Sequence, residues 1–209
     1  MENKKVYKIN YSMWDDDFTF SAEDLKLPFG KIYDCETLFG YKYIFIELVE
    51  TDYNNTFINT ILKIKGILFD NEFIMNNHLN FFEIYDSIDG DVYSLYDAFF
   101  EDNHLKDKYY SISSPNIFYL DRLWVNKEYR NQGYATTILK QLYDILKYYI
   151  KLNVGVIAIY AQPYDIIDNS IENVIDEDLS KKLYSLYEKC GYDSIKGTSY
   201  FYKMVEWYE

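Results

Sequence analysis

Between residues 117 and 149 the hydrophobic rhythm of the chain changes. Residues 117–125, Ile-Phe-Tyr-Leu-Asp-Arg-Leu-Trp-Val, form a run rich in aromatic and branched side chains, which predicts a strand. From Ala135 onward the apolar positions fall at Ile138, Leu139, Leu142, Ile145, Leu146 and Tyr149. That i, i+3, i+4, i+7 ladder predicts an amphipathic helix. A second apolar run, residues 154–161, has the length and branching of a buried strand and stops at Gln162-Pro163. Residues 183–192 then predict a late helix and turn, and residues 200–205 a last strand.

The amino half is patterned less regularly. Residues 5–11 predict a first strand, followed by an acidic loop at 14–17 and a turn at Leu27-Pro28-Phe29-Gly30. Residues 41–50 and 60–69 read as two strands joined by turn material at Asp52-Tyr53-Asn54-Asn55. Gly66 inside the second of them implies a bulge or a weaker strand. Residues 91–100 predict a helix with Val92, Leu95, Tyr96 and Phe99 on one stripe and Asp89 near its cap. A polar stretch, 101–115, leads into the strand at 117.

The joint between that strand and its helix carries the chemistry. After the polar link 126–129 come Arg130-Asn131-Gln132-Gly133-Tyr134-Ala135. A strand that turns through glycine into a helix start leaves unpaired backbone N–H groups converging on one point. Those amides and the positive end of the helix dipole make a phosphate site with little help from side chains. The turn matches neither G-x-x-x-x-G-K-[ST] nor G-x-G-x-x-G, so neither a P-loop nor a dinucleotide Rossmann site is supported. Its pattern is [RQ]-x-x-G-x-[GA], which resembles the acetyl-CoA-binding motif of the GNAT superfamily of N-acetyltransferases. The later string Leu186-Tyr187-Glu188-Lys189-Cys190-Gly191-Tyr192 resembles the late helix and turn of the same family. With the apolar run 154–161 between them, the three stretches occur in family order over about residues 116–205.

The resemblance implies an α/β fold of the α+β type, a mixed central sheet flanked by helices, with a splayed pair of parallel strands holding acetyl-CoA as cosubstrate. It implies one domain over 1–209, with 1–115 shaping the acceptor side and 116–205 binding the coenzyme. Backbone groups of Leu123 and Val125 would hold the pantetheine arm. Amides of Gln132, Gly133, Tyr134, Ala135 and Thr136 would hold the diphosphate, with Asn131 in the turn and Arg130 adding charge. Tyr187 stands where family members commonly protonate the departing thiolate; a phenol, with its ordinary pKa near ~10, stays protonated at neutral pH. Among 25 tyrosines the alternative is plain core packing. Tyr119 occupies the place of the strand glutamate that many members use as base. Asp121, two residues on and so on the same face of an unbulged strand, is either the proton acceptor or an ion-pair partner. Ser180 occupies the place of a frequent asparagine contact to coenzyme A. Residues 164–178 are a longer connection than a minimal family member needs, either a substrate-side loop or an insertion.

Composition narrows the function further. The net charge of −13 argues against a nucleic-acid substrate, and with it against a tRNA-acetylating toxin. It is compatible with a cationic amine of a small molecule or peptide, although much of the acidity reads as solubility for a tyrosine-rich chain. Asp15-Asp16-Asp17 and Asp176-Glu177-Asp178 are local clusters that fit a solvated loop or a helix start equally. No apolar run is long enough to span a bilayer, and the first twenty residues are polar and acidic, so no membrane partner is expected. Cys35 and Cys190 are two distant thiols and fit a reducing, cytoplasmic setting; His78 and His104 stand alone, so no metal is expected. A homodimer through an exposed late strand fits the fold. The expected activity is direct acetyl transfer to a primary amine; the alternative is a GNAT-fold binding or regulatory module without turnover.

Overall fold

The computed structural model describes residues 6–14, 40–52, 54, 56–88, 90–109, 114–167, 170–173 and 176–205. The expected loop at 15–17, the turn at 27–30, Asp89 and Cys35 lie outside them. One seven-stranded sheet runs through the molecule in the order β1 (Val6–Trp14), β2 (Tyr41–Thr51), β3 (Phe57–Phe69), β6 (Ile117–Val125), β7 (Val156–Tyr160), β11 (Tyr200–Met204), β10 (Asp193–Ser194). All neighbours are antiparallel except β6 and β7. The crossover between that parallel pair is α4 (Tyr134–Asp144), as parallel strands require. The mixed α/β sheet expected from the resemblance is therefore present.

Two hydrophobic layers cover the sheet. On one face α4 and α5 (Glu177–Lys189) pack Ile138, Leu139, Leu142 and Tyr187 onto Ile44, Ile46, Leu62, Ile64 and Phe118. On the other, α1 (Asn71–Asn76), α2 (Phe81–Asp86) and α3 (Gly90–Phe99) pack onto Tyr43, Phe45, Phe69 and Tyr119. α1 and α2 carry no periodic sequence signal, being under two turns each. They are fixed by caps: Asp70 accepts from the Phe73 N–H at 3.0 Å and Asn80 from the Phe82 N–H at 3.0 Å. Buried Asn71 ties this layer together, donating to the Pro115 carbonyl at 2.8 Å and accepting from Tyr85 at 3.2 Å.

The helix expected to run through Tyr149 changes its winding first. Residues Ile145–Tyr149 form a π turn, closed by the Ile150 N–H on the Ile145 carbonyl at 3.1 Å. The extra residue per turn moves the buried position from Tyr149, 63% exposed, to Ile150, 4% exposed. The expected bulge at Gly66 is present: the β3–β6 register shifts between Lys65 and Gly66. A side chain on Gly66 would run into the Phe118 ring, so glycine is required by packing. Residues 164–173, left open by sequence, include a hairpin of β8 (Tyr164–Ile167) and β9 (Ser170–Asn173) that, among the described residues, pairs only with itself. A two-stranded pair, β4 (Phe100–Glu101) with β5 (His104–Leu105), follows α3.

Candidate active site

β6 and β7 pair from Ile117↔Val156 to Leu120↔Ile159, and there the ladder ends. Among the described residues β6 continues to Val125 with β3 alone, so its other edge is unpaired over the last five residues. The orientation of that edge follows from one hydrogen bond. The Asn126 N–H donates to the Ile61 carbonyl on β3 at 2.9 Å. The carbonyl of the same peptide, that of Val125, must point the opposite way, toward the open edge. Period-two alternation places the N–H and C=O of Leu123 on that edge as well. Arg130 reaches back and its Nε donates to the Val125 carbonyl at 3.0 Å, which, among the described residues, leaves the Val125 N–H and both Leu123 groups open.

The turn that follows is built from two left-handed residues, Asn131 (φ 59°) and Gly133 (φ 85°). Gly133 is the N-cap of α4 and offers no side-chain cap. Nothing stands within 4 Å of where its Cβ would be, so its front is open. The first helical bond is Thr137 N–H to the Gly133 carbonyl at 2.9 Å. Among the described residues, the amides of Gly133, Tyr134, Ala135 and Thr136 have no acceptor, and they converge at the positive end of α4. The Gln132 side chain is folded back, donating to the Glu128 carbonyl at 2.8 Å, and Gln132 does not join its neighbours in lining the cleft. The Tyr134 side chain turns toward β1, meeting the Tyr7 hydroxyl at 3.2 Å. This hydrogen bond, with partial burial, raises the Tyr134 pKa to about 12.

The open edge and the amide turn share a cleft of about 520 Å³, within the usual size for a ligand site. Leu123, Val125, Arg130, Asn131, Gly133, Ala135 and Thr136 line one wall. Tyr187, from α5, lines the other. It is 5% exposed, and burial, with a smaller contribution from Cys190, pushes its phenol well above the ordinary value. The neighbouring Tyr192 hydroxyl donates to the Leu139 carbonyl at 3.1 Å and the Tyr184 hydroxyl to Ser199 at 3.4 Å. Among the described residues the Tyr187 hydroxyl has no such partner, which leaves its proton available at the cleft.

Asp121 sits where the two strands part. The bulge skips it, since Leu120 pairs with Gly66 and Arg122 with Lys65. Its Oδ2 lies 3.3 Å from Lys65 Nζ and its Oδ1 3.6 Å from Arg122 Nε, so each oxygen already faces a cation. Tyr119, on the same strand, is 1% exposed in the aromatic layer. Ser180 lies beside a separate depression of about 390 Å³, with its Oγ donating to the Asp176 carbonyl at 2.9 Å. Asp176 itself is the α5 N-cap, accepting from the Asp178 and Leu179 amides at 2.8 and 3.0 Å. Sequence reasoning did not single out Trp124, Tyr160 and Tyr164, which also line the main cleft. Trp124 and Tyr160 fall inside the two strands the sequence predicts, and Tyr164 opens the long connection after β7. Among the described residues no group of histidine, cysteine or carboxylate side chains is arranged to hold a metal, and no helix is long and apolar enough to cross a membrane.

A parallel pair that splays beside a glycine-led amide turn is the arrangement the sequence resemblance implied. The sequence model of the acetyltransferase (GNAT) family matches residues 67–164. That match supports membership of the GNAT superfamily. The matched span runs from the end of β3 through the bulge, the amide turn, α4 and β7 to Tyr164. Tyr187 and Ser180 lie beyond it. GNAT membership assigns acetyl transfer as the general reaction class. Among curated proteins, none matches the chain significantly.

Proposed function

We propose that the chain is an acetyl-CoA-dependent N-acetyltransferase that passes an acetyl group directly to a primary amine of a small molecule or peptide. The observation that carries this reading is the set of free amides from Gly133 to Thr136, opening on the same cleft as the unpaired edge of β6. The amides and the helix dipole bind a diphosphate, and Arg130, anchored on the Val125 carbonyl, adds charge beside it. The Leu123 groups and the Val125 N–H take the amides of the pantetheine arm as an added strand would. The thioester is then held near Leu120 and Asp121, where β6 and β7 part.

Amine acetylation requires a neutral nucleophile, donors for the developing oxyanion and a proton for the leaving thiolate. Tyr187 supplies that proton: its phenol is neutral at physiological pH, buried, and free of other hydrogen bonds among the described residues. The amine gives up its proton to Asp121 or to water. The pairing of both Asp121 oxygens with cations supports the water route, with Asp121 positioning Lys65 and Arg122. Thiol release from acetyl-CoA, followed across polyamines, aminoglycosides and lysine peptides, tests the reading. Release with at least one amine class, lost in Tyr187→Phe, is expected.

The second reading, a GNAT-fold module that holds the coenzyme without turnover, is favoured by two observations. Asp121 is engaged, and the family's usual glutamate place holds the buried Tyr119. Binding of acetyl-CoA with no release across the panel would favour it.

A further inference from the structure

The cleft wall contains a polar group that the scheme above does not use. Tyr164 opens β8, directly after Gln162-Pro163, and its half-buried ring lines the cleft together with Asp121 and Tyr187. Its hydroxyl is shut off from solvent and has no hydrogen-bond partner among the described residues. The Arg122 guanidinium carbon lies 5.3 Å from the ring centroid. Burial pushes the phenol far above its ordinary value, with Arg122 opposing the shift and Tyr187 and Asp121 close enough to add to it. Tyr164 is therefore a neutral, desolvated donor beside the reacting end of the cleft.

A buried hydroxyl with no partner loses its water and gains nothing in return. Such groups persist where something else supplies the missing acceptor. The amide turn and the Leu123 edge satisfy the polar groups at the other end of an extended ligand. What remains near Tyr164, where β6 and β7 separate, is the acyl terminus. We infer that Tyr164 is a second hydroxyl donor at that terminus, its O–H turned onto the carbonyl oxygen of the acyl thioester when the acyl donor is bound. Tyr187 then serves the sulfur and Tyr164 the oxygen. The inference rests on the acetyl-CoA reading and deepens it.

The local architecture allows the turn of the ring. Among the described residues the β8–β9 hairpin pairs only with itself, so a shift of β8 breaks no bond of the seven-stranded sheet. Arg122 faces the ring from the bulged segment of β6 and follows it through a cation–π contact rather than a fixed hydrogen bond.

The test is calorimetry of the full chain with acetyl-CoA and with free coenzyme A, for wild type and Tyr164→Phe, alongside the melting temperature of each protein without ligand. The expected result is wild-type preference for acetyl-CoA over coenzyme A by about five- to tenfold, the worth of one neutral hydrogen bond. Tyr164→Phe abolishes that preference, leaves the affinity for coenzyme A unchanged and does not lower the melting temperature, because only an unpartnered hydroxyl is removed. An unaltered preference in the variant overturns the inference while leaving the acetyltransferase reading intact. Equal weakening toward both ligands with a lower melting temperature also overturns it, by assigning Tyr164 a packing role. Absence of heat with either ligand in wild type overturns the acetyl-CoA reading itself, and this inference with it.

Discussion

The two faces of the sheet are built from different materials. The face under α4 and α5 is mostly aliphatic, with Ile44, Ile46, Leu62, Ile64, Leu139 and Leu142 at its centre. The face under α1–α3 is dense with rings: Phe69 stacks on Tyr85 at 3.9 Å between centroids, and Tyr96 on Phe100 at 5.1 Å. The aliphatic face meets the open edge of β6 and the amide turn; the aromatic face carries ion pairs, Lys63–Glu47 at 3.0 Å and Lys65–Asp121. The difference separates two tasks. Regular helices on an aliphatic layer aim backbone amides at a fixed point, which needs rigidity and little side-chain chemistry. Short capped helices on an aromatic layer pack the other face of the sheet and contribute no residue to the lining of the cleft, so that layer can be varied without disturbing the coenzyme end.

The largest effects test whether the layers are separable. Phe99→Ala, in the aromatic layer, is expected to lose about 4 kcal/mol in urea unfolding, while the fraction still folded binds acetyl-CoA with unchanged affinity. A changed affinity would show that the faces are coupled. Gly66→Ala pushes a methyl group into Phe118 at the bulge and is expected to cost about 2–3 kcal/mol. Because that bulge sets the open edge of β6, weaker acetyl-CoA binding should accompany the loss, which calorimetry reads.

Next come substitutions at the cleft. Tyr187→Phe removes the proposed acid and keeps the ring, so thiol release should fall about 100-fold with a melting temperature close to wild type. A Tyr187→Phe variant at full rate would remove Tyr187 as acid. Gly133→Ala places a side chain at φ 85° and should cost about 1–2 kcal/mol of stability and weaken acetyl-CoA binding measurably.

The smallest effect is in pH dependence. The folded-state pKa values of Tyr85, Tyr187 and Tyr192 are raised by burial above the ordinary value near 10. Below about pH 10 these groups are neutral in both states, and their contribution is fully present. Above it the unfolded chain ionises first, so stability should decline on the alkaline side. Tyr187, kept protonated, should produce no alkaline fall in thiol release below about pH 10. Alkaline unfolding and a pH–rate profile check the two halves of this statement.

The aliphatic face was legible in sequence because each residue's place follows from its neighbours. The ladder of Ile138, Leu139, Leu142, Ile145 and Leu146 names the buried side of α4 without knowledge of the rest of the chain. Gly133 is readable for the same reason, as a helix start that needs a positive φ. The ladder misplaced Tyr149 because one i→i+5 bond rotates the register, and no local pattern announces it. On the aromatic face α1 and α2 are too short for periodicity to register. Their positions depend on contacts distant in sequence, such as Asn71 with Pro115 and Tyr85. Asp121 shows the same limit within the site. The spacing from Tyr119 suggested a face, but its partners, Lys65 and Arg122, follow from a bulge made with another strand. Tyr164 has no such local signal: its place in the site follows from the start of β8 lying against the cleft.

Residue-resolved hydrogen exchange with and without acetyl-CoA tests the central claim most directly. The account predicts new protection at the amides of Leu123, Val125 and Gly133–Thr136, with α1–α3 unchanged. Binding that protects other amides and leaves the Gly133 turn exchanging as in the free chain would contradict it.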